Sequence, residues 1–525
     1  MENNQISYLS TGGHGDLPKG NDRLLYRFLE MIPGILIWAT FALAIFLSWA
    51  SPIFVAFFIL AFDLHWIFKV AYFSIHTRSA YSRMREHLKR DWLFELKELP
   101  PRQLIVSGQL STVSCSDLWH LTVIPMHKEP YDIVRPVIEA IAKSHWPKER
   151  MVVVLATEEA AGRSAQVIAQ KLRVDFGEKL PNFFITIHPS NLPGEIPGKG
   201  SNERWAGLWI KDNFIDRQNI PYENVIVSSL DADTVVYPHY FSCVAYHYLT
   251  CEKPLRSSFQ PIPLFVNNIW EAPALSRVMA FSSTFWHTMN QERPEKHITF
   301  SSHAMPLKAL VDIGFWQPNV VSEDSRIFWQ CFLYYDGDYR VVSLYYPVSM
   351  DANVGRSTFR TLKNIYKQQR RWAYGAADIA YFLFGFLKNR KIQKGLMWQY
   401  GFYTAEGFFS WGTYAILIFV LGWLPLVLGG ENFNTTILSY SLPRVTRVLL
   451  SIAMAGIISS VFLSIVILPP RPPNYGKWKY ALMVLQWALI PLTLVVFGSF
   501  PAIEAQTRLM LGKYLGFWPT EKFRK

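Results

Sequence analysis

No side chain is charged between Met31 and Phe62. This stretch is longer than the roughly 20 apolar residues that one membrane-spanning helix needs. Pro52 divides it, because a proline in a helix interior breaks the ladder of backbone hydrogen bonds. We therefore predict two transmembrane helices, at about 31–50 and 53–75.

Two ionisable residues, Asp63 and Lys69, lie in the second of these helices. Ionisable groups in a membrane span face protein or water rather than lipid, so this helix is expected to pack against other segments. The polar residues 1–30 lack the short basic start of a signal peptide. They are expected to form a cytoplasmic segment, and both helices of 31–76 are expected to be retained.

The C-terminal part of the chain is apolar again. Between positions 395 and 430 the only charged residue is Glu406, and the blocks 445–470 and 479–502 are each long enough for one span. Residues 395–502 thus predict three transmembrane helices, or four if the first block divides near position 412. Residues 77–394 contain no comparable apolar run and are predicted to form a water-soluble domain.

The charge distribution predicts that this soluble domain is cytoplasmic. The chain has 52 Lys and Arg against 40 Asp and Glu. The excess flanks the domain, at 77–102 and 356–394, and positive flanks of membrane spans stay cytoplasmic. We therefore expect a protein of the plasma (inner) membrane. Half of the residues are hydrophobic and 18% are charged, which excludes a disordered nucleic-acid-binding tail. The four Cys form no CxxC pair typical of a zinc site.

Within the soluble domain, short apolar runs alternate with amphipathic segments. This alternation is typical of βαβ units and predicts an α/β domain with a parallel sheet. Ligands of such sheets bind beyond the carboxyl ends of the strands, so polar residues just after each apolar run are candidates for function. The predicted strands are 121–125, 151–155, 183–187 and 224–230, and the predicted helices begin near 131, 162 and 202.

Asp231 and Asp233 directly follow the last of these predicted strands. Residues i and i+2 of an extended segment point the same way, so the two carboxylates lie side by side. They repel each other unless a cation joins them. A hard divalent ion with nucleotide phosphates as further ligands would suit this pair. A solvated turn is the alternative for a DxD sequence considered alone.

Charged residues also follow the first two strands. His127 and Glu129 come after the first strand, and Glu158 and Glu159 come after the second. These are the positions where a nucleotide base and ribose would be held. Ordinary surface charge is the better explanation of each pair when it is considered separately.

Two predicted helix starts carry polar residues. Residues 198–202 have the sequence GKGSN, where backbone N–H groups favour phosphate and Lys199 adds a charge, although the P-loop pattern is absent. A plain glycine-rich helix start remains the alternative. Ser322, Glu323 and Asp324 precede another helical segment. Asp324 either caps that helix or takes a proton from an attacking hydroxyl.

Gln368 begins the sequence QQRRW in the most basic stretch of the chain. Arg371 can pair with phosphate oxygens through two parallel hydrogen bonds. The indole of Trp372 offers a flat surface on which a sugar ring can stack. A basic, aromatic helix anchored on anionic lipid is the alternative, and both interpretations are compatible with one amphipathic helix.

The order of these motifs resembles that of the membrane-embedded family 2 glycosyltransferases, such as cellulose synthase and hyaluronan synthase. The tail sequence FWPTEK, residues 517–522, is similar to the FxVTxK gating loop of cellulose synthases, with Pro519 in place of Val. The resemblance covers about residues 119–375 and this tail. The other matching residues are Asp231-Ala232-Asp233 for DxD, Glu323-Asp324 for ED and Gln368-Gln369-Arg370-Arg371-Trp372 for QxxRW.

The resemblance implies a GT-A (Rossmann-like) cytoplasmic domain at 77–355, interface helices at 356–394 and a cytoplasmic tail at 503–525. It implies that Asp324 is the base of an inverting transfer and that Glu323 and Trp372 lie at the acceptor sugar. Thr157-Glu158-Glu159 replaces the family's usual aspartates, which leaves base recognition open. The residues expected at the nucleotide sugar are His127, Glu129, Glu158, Lys199, Asn202, Asp231, Asp233, Gln368, Arg371, Thr520 and Lys522.

The resemblance further implies that Asp231 and Asp233 hold Mg²⁺ or Mn²⁺ and that the donor is a nucleotide sugar, with UDP-sugar favoured. Two acceptors remain open. The first is a growing polysaccharide that passes through the enzyme's own membrane helices, and the second is a membrane lipid that receives one sugar. The bilayer is the expected surrounding and nucleic acid is not an expected partner.

The tail sets a topological expectation. If residues 517–522 reach the nucleotide, an even number of crossings must separate position 394 from position 517. We expect four C-terminal spans, with 395–411 and 413–430 as two short ones, and six spans in all. The alternative is that one apolar block lies in the membrane interface without crossing.

Overall fold

The computed structural model describes residues 7–106, 108–516, 518 and 522–524. Nineteen α-helices are described in this part of the chain. The helices are α1 (Asn21–Ala50), α2 (Pro52–His87), α3 (Trp92–Lys97), α4 (Tyr131–Lys143), α5 (Arg163–Phe176), α6 (Lys199–Ile210), α7 (Tyr240–Thr250), α8 (Ala274–Asn290), α9 (Leu307–Ile313), α10 (Glu323–Tyr334), α11 (Thr358–Ala373), α12 (Ala377–Lys388), α13 (Lys394–Phe419), α14 (Leu424–Leu428), α15 (Gly430–Asn434), α16 (Ile437–Val466), α17 (Trp478–Leu485), α18 (Ile490–Leu492) and α19 (Phe500–Met510).

The domain between the two groups of apolar helices, predicted to be soluble, is built on an eight-stranded sheet of order β5-β4-β3-β6-β9-β8-β10-β7, and β1 and β2 form a separate hairpin. The strands are β1 (Arg102–Val106), β2 (Gln109–Val113), β3 (Trp119–Met126), β4 (Met151–Glu158), β5 (Asn182–His188), β6 (Val225–Ser229), β7 (Val235–Val236), β8 (Ser257–Phe265), β9 (Ala304–Pro306) and β10 (Arg340–Met350).

The expectation of a parallel sheet is correct for most strand pairs but not for all of them, and β8 pairs in parallel with β10. β3 pairs in parallel with β4 and β6, and β4 pairs in parallel with β5. The short strands β9 and β7 are antiparallel to their neighbours, so the sheet is mixed. Such short antiparallel strands need no helical crossover, and the alternation of long apolar runs with helices therefore does not reveal them.

Both faces of the central strands are buried. Val152 and Val154 of β4 belong to one apolar cluster, and Val153 and Leu155 belong to a second cluster on the other face. Strands buried on both faces read as continuous apolar runs, which is why β3, β4 and β6 are recognisable in the sequence. The sheet therefore fixes the positions of the polar residues that follow its strands.

Four helices are long and apolar enough to cross a membrane: α1, α2, α16 and a composite helix from Trp478 to Met510 that comprises α17 to α19. α13 and α14 form one further such segment, bent by 45°. α1 begins at Asn21 and α2 continues to His87, so both exceed the predicted bounds. A helix continues past its apolar run where no breaker stops it, whereas Pro52 at the first turn of α2 separates the two helices as predicted.

The predicted division of 395–430 into two short spans, 395–411 and 413–430, is wrong. α13 is continuous from Lys394 to Phe419, and its axis changes direction only after that point. Gly412 is a site of close packing, because a Cβ there would meet the side chain of Ile37 on α1. Small residues at such positions let two helices approach each other within a membrane.

The chain reaches the soluble domain from both ends. Gln317 and Arg326 donate to the carbonyl oxygens of Ser10 and Thr11 at 3.0 and 3.1 Å, which fixes the segment before α1. Lys522, near the other end, meets a carboxylate of the same domain. Both termini of the described chain therefore lie on the side of the soluble domain.

Candidate active site

The candidate residues collect where the strands of the sheet end. His127 follows β3, Glu158 ends β4, and the Asp231–Asp233 segment follows β6. Asp351 comes directly after β10. Because these strand ends share one edge of the sheet, the polar side chains face a common space.

Lys199, the first residue of α6, joins the predicted base to the DxD segment. Its Nζ lies 2.8 Å from Asp231 Oδ1 and 2.7 Å from Asp324 Oδ1. Glu323 and Glu203 lie at 3.7 and 3.8 Å from the same atom. Two residues that are almost a hundred positions apart in the sequence are thus held by one buried cation.

The charged groups of this cluster shift one another's pKa values. Burial lowers the pKa of Lys199, but Asp231 and Asp324 outweigh burial and hold that pKa well above its usual value. Burial raises the pKa of Asp231, yet Lys199 and Lys522 bring it below its usual range. Burial, assisted by Asp324, raises the pKa of Glu323 to about 8. At neutral pH the site therefore combines a charged Lys199 and an ionised Asp231 with a protonated Glu323.

Asp233 meets a different cation. Its Oδ1 lies 2.5 Å from Nζ of Lys522 in the tail, and its Oδ2 accepts the backbone N–H of Asp351 at 3.2 Å. Arg524 pairs with the carboxylate of Asp351, with Nη2 at 2.6 Å from Oδ1. The tail thus reaches the second carboxylate of the DxD segment.

Four candidate residues at the ends of β3 and β4 lie in two different places. His127 Nδ1 lies 3.5 Å from Glu158 Oε2, and this contact raises the pKa of His127. Glu129 accepts the backbone N–H of His127 at 2.7 Å. Glu159 lies apart from them and accepts the backbone N–H of Ser190. The structure therefore groups His127, Glu129 and Glu158 at one end of β3 and β4.

Asn202 lies in the interior of the domain. It is fully buried, and its amide donates to the carbonyl oxygen of Ala156 at 2.7 Å. This bond ties α6 to β4 and thereby fixes the start of the helix that carries Lys199.

α11 brings the QxxRW residues to the same region. The amide of Asn353 donates to Gln368 Oε1 at 3.5 Å. The positive charge of Arg371 lies near Glu323 and partly offsets the rise that burial causes in the pKa of that residue. The ring of Trp372 is partly exposed and lies 6.4 Å from that of Phe265. Thr520 lies outside the described residues.

Sequence reasoning missed two acidic residues of this site. Asp351 follows the apolar strand β10 just as Asp231 follows β6, so the same positional rule would have found it. Glu203 lies one turn after Lys199 on α6, is fully buried and accepts a hydrogen bond from Ser229 Oγ at 2.5 Å. Burial raises its pKa well above the usual value. No sequence pattern distinguished it from a surface glutamate.

The carboxylates suit a divalent ion only together with further ligands. Among the described residues, no three His, Cys, Asp or Glu side chains are grouped so as to hold a metal ion. Asp231 and Asp233 supply the hard oxygen ligands that Mg²⁺ and Mn²⁺ prefer, and phosphate oxygens commonly complete such sites. In this structure Lys199 and Lys522 balance their charge. The donor set therefore fits an ion that binds with a diphosphate.

Comparison with known proteins adds a family and several distant structures. The family described as "Glycosyl transferase family group 2" matches residues 226–500, more than half of the chain. No curated protein sequence matches.

Several solved structures are similar to this chain, and the following three have at most 12% sequence identity to it. The mannosyltransferase PcManGT from Pyrobaculum calidifontis, in complex with GDP-Man and Mn²⁺, is 12% identical, with a TM-score of 0.40 over 87% of this chain and 98% of that one. S. aureus TarS 1-349 with UDP-GlcNAc is 12% identical, with a TM-score of 0.30 over 66% and 90%. GalNAc-T7 with UDP, GalNAc and Mn²⁺ is 10% identical, with a TM-score of 0.31 over 55% and 57%.

Proposed function

The chain belongs to glycosyl transferase family group 2, and we propose that it is a membrane-integrated, inverting enzyme that lengthens a polysaccharide from a cytoplasmic nucleotide sugar. The family match and the mixed sheet with its flanking apolar helices confirm the expected GT-A fold class. The proposal adds the stereochemistry, the acceptor, the orientation and a requirement for a divalent metal.

The observation that carries this proposal is the contact of Lys199 with both Asp231 and Asp324. A transfer in one displacement needs a base at the acceptor hydroxyl and positive charge at the leaving diphosphate. Both requirements meet here, because the candidate base and the first carboxylate of the DxD segment share one lysine. The separation of base and donor site is therefore no larger than the reach of one side chain.

Each residue has a defined part in the proposed reaction. Asp324 accepts the proton of the attacking hydroxyl, and Lys199 and Arg371 neutralise the diphosphate as it leaves. Asp231 and Asp233 would hold Mg²⁺ or Mn²⁺, which supplies further charge stabilisation when bound. Glu323, which is protonated at neutral pH, can donate a hydrogen bond to a sugar oxygen without repelling the diphosphate.

The QxxRW residues and the FxVTxK-like tail sequence, which resemble those of processive synthases, favour a polymer as the acceptor. Trp372 lies near the end of α11, which leads through α12 into the apolar helix α13. An acceptor sugar stacked on Trp372 would therefore lie beside the membrane helices. The basic flanks of the soluble domain support a cytoplasmic site in the plasma membrane.

The test is to incubate the purified protein with a panel of UDP- and GDP-sugars in the presence of Mg²⁺ or Mn²⁺ and to size the product. We expect turnover of one donor, most readily a UDP-sugar, and a product of many sugars. A lipid that carries a single sugar would replace the polymer proposal with transfer to a membrane lipid. Turnover that persists after exhaustive chelation would contradict the metal requirement.

A further inference from the structure

A short segment between α8 and β9 contacts both the candidate base and the DxD segment. The hydroxyl of Thr299 donates to the backbone carbonyl oxygen of Asp324 at 2.6 Å. The hydroxyl of Ser301 donates to Asp231 Oδ2 at 2.7 Å. Thr299 is fully buried and Ser301 is partly exposed. The segment 299–303 therefore joins two parts of the site that lie far apart in the sequence.

Both oxygens of the Asp231 carboxylate have a donor. Lys199 Nζ lies 2.8 Å from Oδ1, and the hydroxyl of Ser301 is bonded to Oδ2. Burial raises the pKa of Asp231, but the charge of Lys199 and, to a smaller extent, the hydrogen bond from Ser301 bring it below its usual range. A carboxylate that is bound through one oxygen can still turn about its terminal side-chain bond, which has a broad torsional preference. Ser301 therefore fixes the plane of this carboxylate.

Gln260 of β8 fixes the backbone beside Ser301. Its Oε1 accepts the N–H of Phe300 at 2.9 Å, and its Nε2 donates to the carbonyl oxygen of Ser301 at 3.2 Å. Gln260 is fully buried, and its amide is both a donor and an acceptor, so one side chain can hold two backbone groups. The central sheet thus determines where the hydroxyl of Ser301 lies.

The 299–303 segment includes a backbone conformation that its residue type does not favour. Ser302 has a φ of 67°, in the left-handed region that residues with a side chain rarely adopt. Its hydroxyl lies 2.9 Å from that of Thr234, which directly follows the DxD segment, and the carbonyl oxygen of His303 accepts the N–H of Ser229 of β6 at 3.0 Å. Such conformations persist where the surroundings determine them, and they are frequent at functional sites.

We propose that Ser301 is a positioning residue of the transfer reaction, because it sets the orientation of the Asp231 carboxylate at the donor site. The inference rests on the proposed function for the role of Asp231. Ser301 acts through Asp231 and not by touching the nucleotide sugar. Without this hydroxyl, Lys199 still holds one oxygen of the carboxylate, but the other oxygen is free to turn. Binding of the donor must then restore the orientation, which lowers the affinity.

The experiment measures nucleotide binding by calorimetry to the full-length protein in nanodiscs, with UDP and GDP as separate probes in the presence of Mn²⁺. Ser301→Ala should weaken binding of the preferred nucleotide by roughly tenfold, since the lost hydrogen bond is to a charged group. Ser242→Ala is the matched control, because Ser242 of α7 is fully buried and donates to the carbonyl oxygen of His145 at 2.8 Å, outside these contacts. The control should bind as the unaltered protein does. An unchanged affinity in Ser301→Ala would overturn the proposal.

A second comparison shows whether Ser301 acts through Asp231. In an Asp231→Asn background, Ser301→Ala should cause little further loss of affinity, because residues that share one interaction have non-additive effects. An equal loss in both backgrounds would show that Ser301 contacts the nucleotide directly or supports the fold in general. Either result would overturn its role as a positioning residue for Asp231.

Neither measurement requires sugar transfer, so the two proposals fail in different ways. A nucleotide that binds equally well with and without the Ser301 hydroxyl removes only this inference. The expected pattern of binding without any transfer removes the proposed reaction and leaves the role of Ser301 in nucleotide binding. If neither nucleotide binds to the unaltered protein, the proposed function is wrong, and this inference is wrong with it.

Discussion

Lys199 is the cation that the acidic side chains of the site share. It is 9% exposed and faces four carboxyl groups, of which Asp231 and Asp324 lie at hydrogen-bond distance. Removing one partner of a buried ion pair leaves the other charges uncompensated, which typically costs about 3–5 kcal/mol of folding free energy. The same side chain is proposed to face the diphosphate, so its loss should affect both stability and turnover.

We therefore expect Lys199→Gln to lower the unfolding temperature in detergent and to reduce sugar transfer at least a hundredfold, which corresponds to about 3 kcal/mol. Lys128→Gln is the matched control, because Lys128 follows β3 near the same edge of the sheet but is exposed. It should change neither quantity. A Lys199→Gln protein with ordinary stability and turnover would contradict the role of this lysine.

Glu323 predicts a pH dependence of stability. Its pKa is raised to about 8 in the folded protein, chiefly by burial, so the folded state binds a proton that the unfolded state releases near pH 4.5. The contribution of Glu323 to the free energy of unfolding is fully present below pH 4.5 and is lost as the pH rises to 8. The unfolding temperature should fall between pH 5 and pH 8, and Glu323→Gln should reduce that fall. An equal fall in both proteins would show that Glu323 does not carry the effect.

At the scale of elements, Glu504 of α19 forms hydrogen bonds to two residues of α11. Glu504 accepts hydrogen bonds from Arg370 at 2.6 Å and from Tyr366 at 2.9 Å, and also from Arg508 on its own helix at 2.8 Å. α11 also carries Gln368, Arg371 and Trp372. The position of the QxxRW residues therefore depends on a contact with an apolar helix.

Glu504→Gln should lower both the unfolding temperature and the rate of transfer, since hydrogen bonds to charged groups contribute about 1.5–3 kcal/mol. Arg508→Gln is the control, because this partner lies one turn away on α19 and is 40% exposed, where an ion pair contributes little. The control should resemble the unaltered protein. Equal effects of the two substitutions would argue against α19 as the support of α11.

The sequence predicted the strands better than it predicted how far the helices extend. β3 to β6 and α4 lie where they were expected because their apolar periodicity reports burial directly. The ends of α1 and α2 were not predicted, since polar residues can continue a helix beyond the membrane. The DxD, ED and QxxRW residues were identified from motifs. Their juxtaposition through Lys199 depends on contacts between distant parts of the chain, which a single sequence does not reveal.

At the scale of the whole molecule, the composite helix Trp478–Met510 lies along the catalytic domain. Arg277 of α8 donates to Gln486 at 2.6 Å near one end, and Arg370 meets Glu504 near the other. The loop before this helix also lies there, because Trp270 donates to the carbonyl oxygen of Pro469. Three C-terminal segments of the described chain are long and apolar enough to cross, rather than the four expected.

We infer that α1, α2, the bent segment α13–α14 and α16 cross the membrane and that Trp478–Met510 lies in the interface. Four crossings return the tail to the side of Asp233, which Lys522 contacts. Cysteine introduced at Asn432, between α14 and α16, should react with an impermeant maleimide on intact cells. Cysteine at Asn474, also exposed, should not react. Labelling at Asn474 alone, or at both positions, would contradict this topology.

The measurement closest to the central claim compares the unaltered protein with Asp324→Asn for donor binding and for sugar transfer. The base acts on the acceptor and Asn preserves the shape of the side chain, so the nucleotide sugar should still bind with an affinity within a few-fold. Transfer should fall at least a hundredfold, or about 3 kcal/mol in activation free energy. A variant that transfers sugar at the rate of the unaltered protein would contradict the assignment of Asp324 as the base and the active site built around it.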